Sequence, residues 1–388
     1  MRKKNLRTQG FVADNRLCLG AAILGCLVRA ASATASNYAY TDLYTLQMPT
    51  GFNTIEPLWV AADGQAAGYA YSTPMSNNNH ALLWSGTAGS AVDLNPPGFT
   101  DSEALATSGS QQIGYVYGSA TSYHEHAVLW SGTAGSVVDL NPAGFSNSDA
   151  YGTSGSQQVG DGYGSATGNN THAVLWSGTA GSAVDLNPAG FTYSTALATS
   201  GSQQVGYGYS SATANRYHAL LWSGTAGSAV DLNPAGFTGS EALAISGSQQ
   251  VGEGSGNATG NSTHALLWSG AAGSAVDLNP AGFSNSEAYA TSGSQQVGYA
   301  WNSAAGNNLH VLLWSGTAAS AIDLSNLLPA GFFESQAYSI DPSGDVFGGA
   351  LDSSGNYHAI EWSPAPEPAS LSMLTLGGLT LLRRRKDR

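Results

Sequence analysis

Residues 264–278 read His-Ala-Leu-Leu-Trp-Ser-Gly-Ala-Ala-Gly-Ser-Ala-Val-Asp-Leu, and they contain the two elements that the rest of the chain repeats. The first element is the string His-Ala-Leu-Leu-Trp, and the second is the Asp-Leu pair that follows its histidine by 13 residues. The string or a close variant returns every 46 residues, except that an insertion at residues 325–328 lengthens the last interval to 48. A fixed period of this length is typical of repeat architectures. The seven strings begin at His80, His126, His172, His218, His264, His310 and His358.

The Asp-Leu pairs are offset from the histidine strings along the chain. Each of the first six histidines has its aspartate, but the chain reaches Pro364 shortly after His358 without another Asp-Leu pair. An additional pair, Asp42-Leu43, lies ahead of the first string. The offset therefore predicts that the segment around Asp42 pairs with the last repeat, whose own strands come from residues 337–362. The seven aspartates are Asp42, Asp93, Asp139, Asp185, Asp231, Asp277 and Asp323.

Each repeat contains four short segments of β type, separated by stretches rich in Gly, Ser and Asn. In the fifth copy we predict strands at residues 242–246, 249–254, 264–268 and 275–278. Four strands in each of seven repeats predict an all-β fold, a seven-bladed β-propeller with about 46 residues per blade. In this propeller the N-terminal strand completes the last blade. The alternative is a β-solenoid, which requires atypical capping repeats at both ends.

The N-terminal residues have the composition of a targeting segment. Residues 1–33 join a basic leader to an apolar run at 17–28 and a small-residue cleavage site at Ala31-Ser32-Ala33, which is typical of a secretory signal peptide. Both cysteines of the chain, Cys18 and Cys26, fall within it, so the exported part would contain no disulfide. A lipoprotein cleavage box ending at Cys26 is the alternative interpretation.

The C-terminal residues 363–388 combine Pro366-Glu367-Pro368, an apolar segment at 369–382 and a tail rich in arginine. The apolar segment predicts a short hydrophobic helix of marginal length for a membrane span, with its basic end in the cytoplasm. The three parts together closely resemble the PEP-CTERM sorting signal of Gram-negative bacteria. The residues that carry this resemblance are Pro366, Glu367, Pro368, Arg383, Arg384 and Arg385.

The resemblance implies that an exosortase-type enzyme recognises and processes this signal. It further implies transient anchoring in the inner membrane, followed by transfer to the cell surface or to an extracellular biofilm matrix of exopolysaccharide. A plain tail anchor is the alternative interpretation of the same segment.

Residues 34–362 form the repeat domain, and over 57–362 they resemble the HAF family of probable extracellular repeats. The resemblance rests on a Gly-x-x-x-Gly segment followed by His-Ala-x-Leu-Trp, best matched at Asp63-Gly64-Gln65-Ala66-Ala67-Gly68-Tyr69 and at residues 343–348. Leu or Val replaces the family's Phe after His-Ala. The family implies an extracellular repeat protein and brings no known activity.

The charge of the repeat domain excludes one class of partner. Arg216 is the only lysine or arginine between residues 34 and 382, whereas 25 acidic residues are present in the chain and only Asp14 and Asp387 lie outside that range. A domain this acidic repels phosphate backbones, which excludes electrostatic binding of nucleic acid.

A ring of acidic residues is predicted at the mouth of the central channel. Its positions lie four residues after each Gly-Phe pair, where the innermost strands of a propeller converge. Hard oxygen ligands suit calcium or magnesium, so a cation bound there is one hypothesis, and a solvated acidic rim is the other. No other cofactor is expected. The carboxylates are Glu56, Glu103, Asp149, Glu241 and Glu287, and Thr195 and Gln336 occupy the remaining two positions.

The repeated histidines and aspartates are predicted to be structural. Equivalent residues of neighbouring blades lie far apart in a propeller, so the histidines cannot converge on one metal ion. We expect a buried His–Asp–Ser hydrogen-bond network within each blade, because buried polar groups need such partners. The tryptophan that ends each string is expected to pack between blades.

Two departures from the repeat bear on catalysis. Asp161 and Glu253 stand where other repeats have a tyrosine, and a carboxylate pair supports glycoside hydrolysis only within about 10 Å. Because the two residues belong to repeats that are not adjacent, we expect them to be too distant. A hydrolase or lyase is therefore the weaker alternative, and the chain is expected not to be an enzyme.

The segments before each histidine vary most and mix Tyr, Asn, Ser and Thr. On a propeller they share one face, where binding tends to occur. The sequence therefore predicts a non-catalytic exported protein of the cell surface or extracellular matrix, and a polysaccharide-binding, lectin-like propeller is the alternative. The segments are residues 72–79, 119–125, 165–171, 211–217, 257–263, 303–309 and 352–357.

Overall fold

A computed structural model describes residues 37–42, 52–60, 65–72, 78–84, 90–302 and 308–365. For residues 52–60 and Ser72 it describes the backbone alone. The predicted signal peptide and the sorting residues from Pro366 onward lie outside these ranges. The last strand ends at Pro364, two residues beyond the predicted end of the repeat domain.

Within the described ranges the chain forms 28 β-strands, arranged in seven four-stranded antiparallel sheets. Each sheet is one blade of a β-propeller, as predicted. Blade 1 consists of β2 (Phe52–Val60), β3 (Ala66–Ser72), β4 (Asn79–Trp84) and β5 (Val92–Asp93). Blade 2 consists of β6 (Asp101–Ser108), β7 (Gln111–Tyr117), β8 (His126–Trp130) and β9 (Val138–Asp139). Blade 3 consists of β10 (Phe145–Thr153), β11 (Gln158–Gly164), β12 (Thr171–Trp176) and β13 (Val184–Asp185).

The other four blades follow the same order. Blade 4 consists of β14 (Tyr193–Ser200), β15 (Gln203–Tyr209), β16 (His218–Trp222) and β17 (Val230–Asp231). Blade 5 consists of β18 (Phe237–Ser246), β19 (Gln249–Gly256), β20 (His264–Trp268) and β21 (Val276–Asp277). Blade 6 consists of β22 (Asn285–Thr291), β23 (Gln296–Trp301), β24 (His310–Trp314) and β25 (Ile322–Asp323). Blade 7 consists of β26 (Phe332–Ile340), β27 (Val346–Asp352), β28 (Tyr357–Pro364) and β1 (Tyr38–Asp42).

The helices in the described part of the chain are short 3-10 turns, and none of them is long and apolar enough to cross a membrane. All but one of these helices lie after the second or after the third strand of a repeat, and the exception, Leu324–Leu327, follows β25. They are Ser119–Thr121, Ala134–Ser136, Ser165–Thr167, Ala180–Ser182, Ala226–Ser228, Asn257–Thr259, Ala272–Ser274, Ala318–Ser320 and Leu324–Leu327.

The ring is closed by the N-terminal strand. β1 pairs antiparallel with β28, with Tyr38 opposite Pro364 and Asp42 opposite Ile360. The first strands of neighbouring blades contact one another around the ring, and β2 contacts both β6 and β26. The blades therefore surround a central channel lined by their first strands. This arrangement confirms the predicted closure and excludes the β-solenoid alternative.

The boundaries of three strands of the fifth repeat differ from the prediction. β19 continues to Gly256, two residues beyond its predicted end. β18 begins at Phe237, five residues before the predicted start, because β-bulges at Phe237/Gly239 and Ala242/Ala244 let it follow β19 along its whole length. The outermost strand β21 is only two residues long, since it pairs with Leu266 and Leu267 alone.

The core lies between blades rather than within one sheet. Trp268 of blade 5, for example, is fully buried in a cluster with Val205, Leu221 and Leu232 of blade 4. The glycine of the Val-Gly pair permits close packing within a blade, since a Cβ on Gly252 would lie 2.0 Å from the carbonyl oxygen of Glu241. The tryptophans that pack in this way against the preceding blade are Trp130, Trp176, Trp222, Trp268, Trp314 and Trp362.

Candidate functional site: the loop face and the channel mouth

One side of the ring, the loop face, carries the variable segments that precede the histidines. Because the strands are antiparallel, the start of each first strand, the end of the second and the start of the third meet on this side. In blade 4, Tyr193 lies opposite Tyr209, and Gly208 lies opposite His218. The repeated histidines, the acidic ring and the variable segments therefore all lie toward the loop face.

Each repeated histidine contacts its aspartate. The Nδ1–Oδ2 distances are 2.7–2.9 Å in all seven pairs, and the pair that closes the ring joins His358 to Asp42 at 2.7 Å. The histidine side chains are partly buried, whereas most of the aspartate side chains are about half exposed. The pairs are less buried than the sequence suggested.

The hydrogen-bond network that begins with these pairs crosses to the next blade, whereas the prediction confined it to one blade. The Asn141 backbone N–H donates to Asp139 at 2.8 Å, and the Ser148 hydroxyl donates to Asn141 Oδ1 at 2.7 Å. Ser148 belongs to blade 3, and its Oγ accepts from the Ala127 N–H of blade 2 at 3.0 Å. The network thus joins adjacent blades, which sequence spacing does not reveal. The serines that accept from a neighbouring blade in this way at 3.0–3.2 Å are Ser102, Ser148, Ser194, Ser240 and Ser286.

Blade 6 departs from this network. Ser325 replaces the asparagine, and its hydroxyl lies 2.7 Å from the Ser335 hydroxyl. Beside it, a cavity of about 200 Å³ opens between blades 6 and 7, and its lining mixes polar residues with apolar ones such as Leu309 and Phe333. The His310 side chain lines this cavity and is 39% exposed, about twice the exposure of its counterparts. The insertion therefore opens the loop face at one place.

The predicted acidic ring lies on the first strands, and its side chains contact polar groups of the protein. Asn79 Nδ2 donates to Glu103 Oε1 at 2.6 Å. The hydroxyls of Tyr289 and Tyr299 donate to Glu287 Oε2 at 2.9 and 2.8 Å. The ring carboxylates are therefore parts of mixed polar clusters. Two other carboxylates of the ring also lie near tyrosines: Asp149 is 3.5 Å from the Tyr151 hydroxyl, and Glu241 lies near Tyr207. The Gln336 side chain accepts a hydrogen bond from the Tyr338 hydroxyl. The side chain of Glu56 is not described.

The described residues contain no cluster of three or more His, Cys, Asp or Glu side chains arranged to hold a metal ion. The calcium hypothesis stays a prediction, and its test is a calcium titration: a melting temperature that does not change would remove it.

Asp161 and Glu253 belong to blades 3 and 5, and each lies opposite a member of the acidic ring on the adjacent strand. Asp161 is paired with Asp149, and Glu253 is paired with Glu241. The sequence reasoning compared the two departures with each other and missed these two close pairs. The sequence did contain a signal for these pairs, because Asp161 and Glu253 each follow the acidic-ring residue of their own repeat by 12 residues.

Blade 4 carries a cluster of four tyrosines at the channel mouth. The Tyr193 ring stacks on Tyr209 with centroids 5.0 Å apart, and the Tyr217 ring meets Tyr207 edge-on at 4.8 Å. Thr195, between Tyr193 and Asp161, donates to Asp161 Oδ2 at 2.8 Å and lies 2.9 Å from the Tyr193 hydroxyl. The four rings thus pack against one another.

Burial keeps the channel tyrosines protonated. It raises the pKa of Tyr193 and Tyr299 above the ordinary value, and the neighbouring carboxylates Asp161 and Glu287 raise it further. A protonated phenol donates a hydrogen bond to a carboxylate and does not act as a base at neutral pH. Tyr289 and Tyr299 therefore stabilise the carboxylate of Glu287.

The comparisons with known proteins identify no family. No protein-family model matches the chain, and no curated protein sequence matches it.

Solved structures share the propeller fold at low sequence identity. The propeller domain of the trilobed protease from Pyrococcus furiosus, described as having an open velcro topology, is 8% identical, with a TM-score of 0.54 over 80% of this chain and 95% of that one. A puromycin hydrolase is 10% identical, with a TM-score of 0.53 over 82% of this chain and 52% of that one. Prolyl oligopeptidase B from Galerina marginata is 11% identical, with a TM-score of 0.51 over 81% and 51%. The chain spans about half the length of these two enzymes, and the likeness shows the fold alone.

Proposed function

We propose that this chain is a non-catalytic, exported propeller that serves as an interaction or structural protein of the cell surface or exopolysaccharide matrix. The observation that carries the proposal is the inter-blade network, which recurs with nearly the same distances from blade to blade. A framework copied around the ring presents several loops at equivalent positions on one face, which suits repeated weak contacts better than one specialised active site.

Export is the part of the proposal that the C-terminal residues support. Pro366-Glu367-Pro368 and the arginines at 383–385 resemble a sorting signal. Both cysteines of the chain lie within residues 1–33, and a repeat domain without cysteine suits an oxidising exterior. The partners we propose are an exosortase-type enzyme, the inner membrane during sorting, and the exopolysaccharide of the matrix.

The export proposal is tested by expressing the full chain in a Gram-negative host with and without an exosortase-type enzyme. We expect the protein in the surface and medium fractions of the first host and in the inner membrane of the second, as followed by immunoblotting. A variant with Pro366→Ala, Glu367→Ala and Pro368→Ala should stay in the membrane of both hosts. The same distribution in both hosts would contradict sorting.

The non-catalytic part is tested separately on the secreted protein. Incubation with a panel of polysaccharides should release no new reducing ends and no unsaturated products. Steady release that is lost in Asp161→Asn or Glu253→Gln would instead support the hydrolase or lyase alternative, because these residues form the carboxylate pairs at the channel mouth.

A further inference from the structure

Tyr123 is the most exposed large hydrophobic side chain of the described residues, with 61% of its surface accessible. It lies in the loop between β7 and β8 of blade 2, and its φ of 61° places it in the left-handed region. Asparagine is among the few residues other than glycine that adopt this region readily, and a bulky aromatic residue is disfavoured there. Blades 3, 4 and 5 have asparagine at the equivalent position, at Asn169, Asn215 and Asn261, all with positive φ. Blade 2 therefore has an exposed aromatic residue in the left-handed backbone conformation, at a position where blades 3, 4 and 5 have asparagine.

The Tyr123 side chain belongs to a continuous patch that spans blades 2 and 3. Its ring meets Tyr117 edge-on with centroids 5.8 Å apart. The adjacent residue His124 contacts Asn147 of blade 3, with Nδ1 and Oδ1 3.0 Å apart. Asn147 lies directly opposite Tyr163 on the neighbouring strand, so both side chains point to the same side of the sheet.

The second tyrosine of this patch is also exposed, since 41% of the Tyr163 surface is accessible. The patch thus runs from the exposed ring of Tyr123, through the neighbouring His124 and its partner Asn147, to the exposed ring of Tyr163. We call Tyr123, His124, Asn147 and Tyr163 the tyrosine patch.

The tyrosine patch differs from the tyrosine cluster of blade 4 in what its rings face. In blade 4 the rings of Tyr193, Tyr207, Tyr209 and Tyr217 stack on one another, and Tyr207 is 6% exposed. Internal packing accounts for those side chains. It does not account for Tyr123. Its exposed ring makes one edge contact, which stabilises the fold little, whereas its left-handed backbone conformation is unfavourable for a bulky residue.

We propose that the tyrosine patch binds a neutral polysaccharide, with the apolar faces of its sugar rings on Tyr123 and Tyr163. This proposal rests on the proposed function at the exopolysaccharide matrix and names the class of glycan and the site that takes it. Tyrosine offers a flat apolar face together with a polar tip, and the amide of Asn147 and the imidazole of His124 supply hydrogen bonds to sugar hydroxyls between the two rings.

Charge decides between neutral and anionic polysaccharides. Glu125 adjoins His124 in the chain, Asp149 follows shortly after Asn147, and the one arginine of the repeat domain, Arg216, belongs to another blade. A uronate or sulfate group would meet carboxylates and no fixed cation at the patch. The occupant is therefore a polymer of uncharged sugars.

The test is affinity electrophoresis of the full chain in gels that contain one polysaccharide each. The neutral probes are hydroxyethyl cellulose, galactomannan and a soluble β-1,3-glucan, and the anionic probes are alginate and polygalacturonate. We expect at least one neutral probe to retard the protein and neither anionic probe to do so. Tyr123→Asn, which installs the residue of blades 3 to 5, should weaken that binding about tenfold and leave the melting temperature equal or higher. Tyr163→Ser should weaken it as well.

The matched control is Asn215→Ala, which changes the equivalent turn of blade 4 and should leave retardation unchanged. Loss of binding together with an undiminished melting temperature separates a binding role of Tyr123 from a structural one. The proposal is overturned if no neutral probe retards the protein, if Tyr123→Asn binds like the unaltered chain, or if only the anionic probes bind. These results leave export untouched, because the sorting experiment reads the location of the protein and not its glycan.

Discussion

Blades 4 and 5 share one framework but differ completely at the channel mouth. In both, the histidine lies 2.7 Å from its aspartate, and the following asparagine N–H donates to that aspartate at 2.8 Å. At the mouth, however, the four tyrosines of blade 4 are replaced in blade 5 by Gly239, Glu253, Ser255 and Thr263. Both blades nevertheless consist of four antiparallel strands in the same order.

This difference shows where stability and specificity reside. The buried tryptophan and the inter-blade serine are constant, so they set the geometry of the blade. The residues at the mouth change in size, charge and polarity without disturbing that geometry. The loop face is therefore the part of the molecule that is free to vary for binding.

The largest effect is expected from removing the constant core residue. Trp222→Ala in blade 4 and Trp268→Ala in blade 5 should each lower the free energy of unfolding by about 3–5 kcal/mol, because both side chains are fully buried between blades. Urea unfolding measures both losses. Thr263→Ala at the mouth is the control and should change stability by less than about 0.5 kcal/mol. If the two variants lost very different amounts of unfolding free energy, the view that blades 4 and 5 share one framework would be wrong.

A smaller effect is expected from the network. Ser240→Ala should cost about 1–2 kcal/mol, because the buried N–H of Ala219 loses the acceptor that lies 3.2 Å away. Ser286→Ala should cost about the same, since it removes the equivalent acceptor of Ala265. Thermal or urea unfolding checks both values, and Ser255→Ala at the mouth is the matched control. A loss no greater than that of Ser255→Ala would show that the serines do not join the blades.

The smallest effect is expected from Asp352, where blade 7 departs from the other blades. Asn356 and His358 lower the pKa of Asp352 to about 2, and Asp352 Oδ2 lies 3.3 Å from His358 Nε2. Because the folded-state pKa lies below the unfolded value of about 3.9, this contribution to stability is present above pH 4 and is lost as the pH falls toward 2. Screening by solvent keeps it small, since the side chain is partly exposed at the surface of the protein. Unfolding curves of the unaltered chain and of Asp352→Asn should therefore converge as the pH falls from 5 to 2, and a constant gap would contradict this assignment.

The sequence predicted the features that depend on the repeat period. The count of blades and the closure by Asp42 follow from the offset between the histidine and aspartate strings, and the tryptophans lie between blades as expected. The network was predicted only in part. Ser148 and Asn141 belong to different blades and are brought together by the packing of those blades, and the repeat period of the sequence gives no information about that packing.

The features that sequence reasoning missed depend on backbone conformation. β18 begins at Phe237 because bulges bend it along β19, and bulges leave little trace in the period of apolar residues. The sequence analysis placed Tyr123 among the polar residues of a variable loop. The sequence did show that the residues 46, 92 and 138 positions further on, Asn169, Asn215 and Asn261, are asparagines. The accessible surface of that ring required the structure.

The pairing of β1 with β28 sets the order in which the chain can fold. The contact between Asp42 and His358 joins residues 316 positions apart, so it forms only after every other blade sequence is present. Until then β28 is an unpaired edge, and an unpaired edge accepts a strand from any chain nearby. A second copy that donated its own Tyr38–Asp42 strand would satisfy that edge equally well, so strand exchange between copies competes with closure when many chains fold close together.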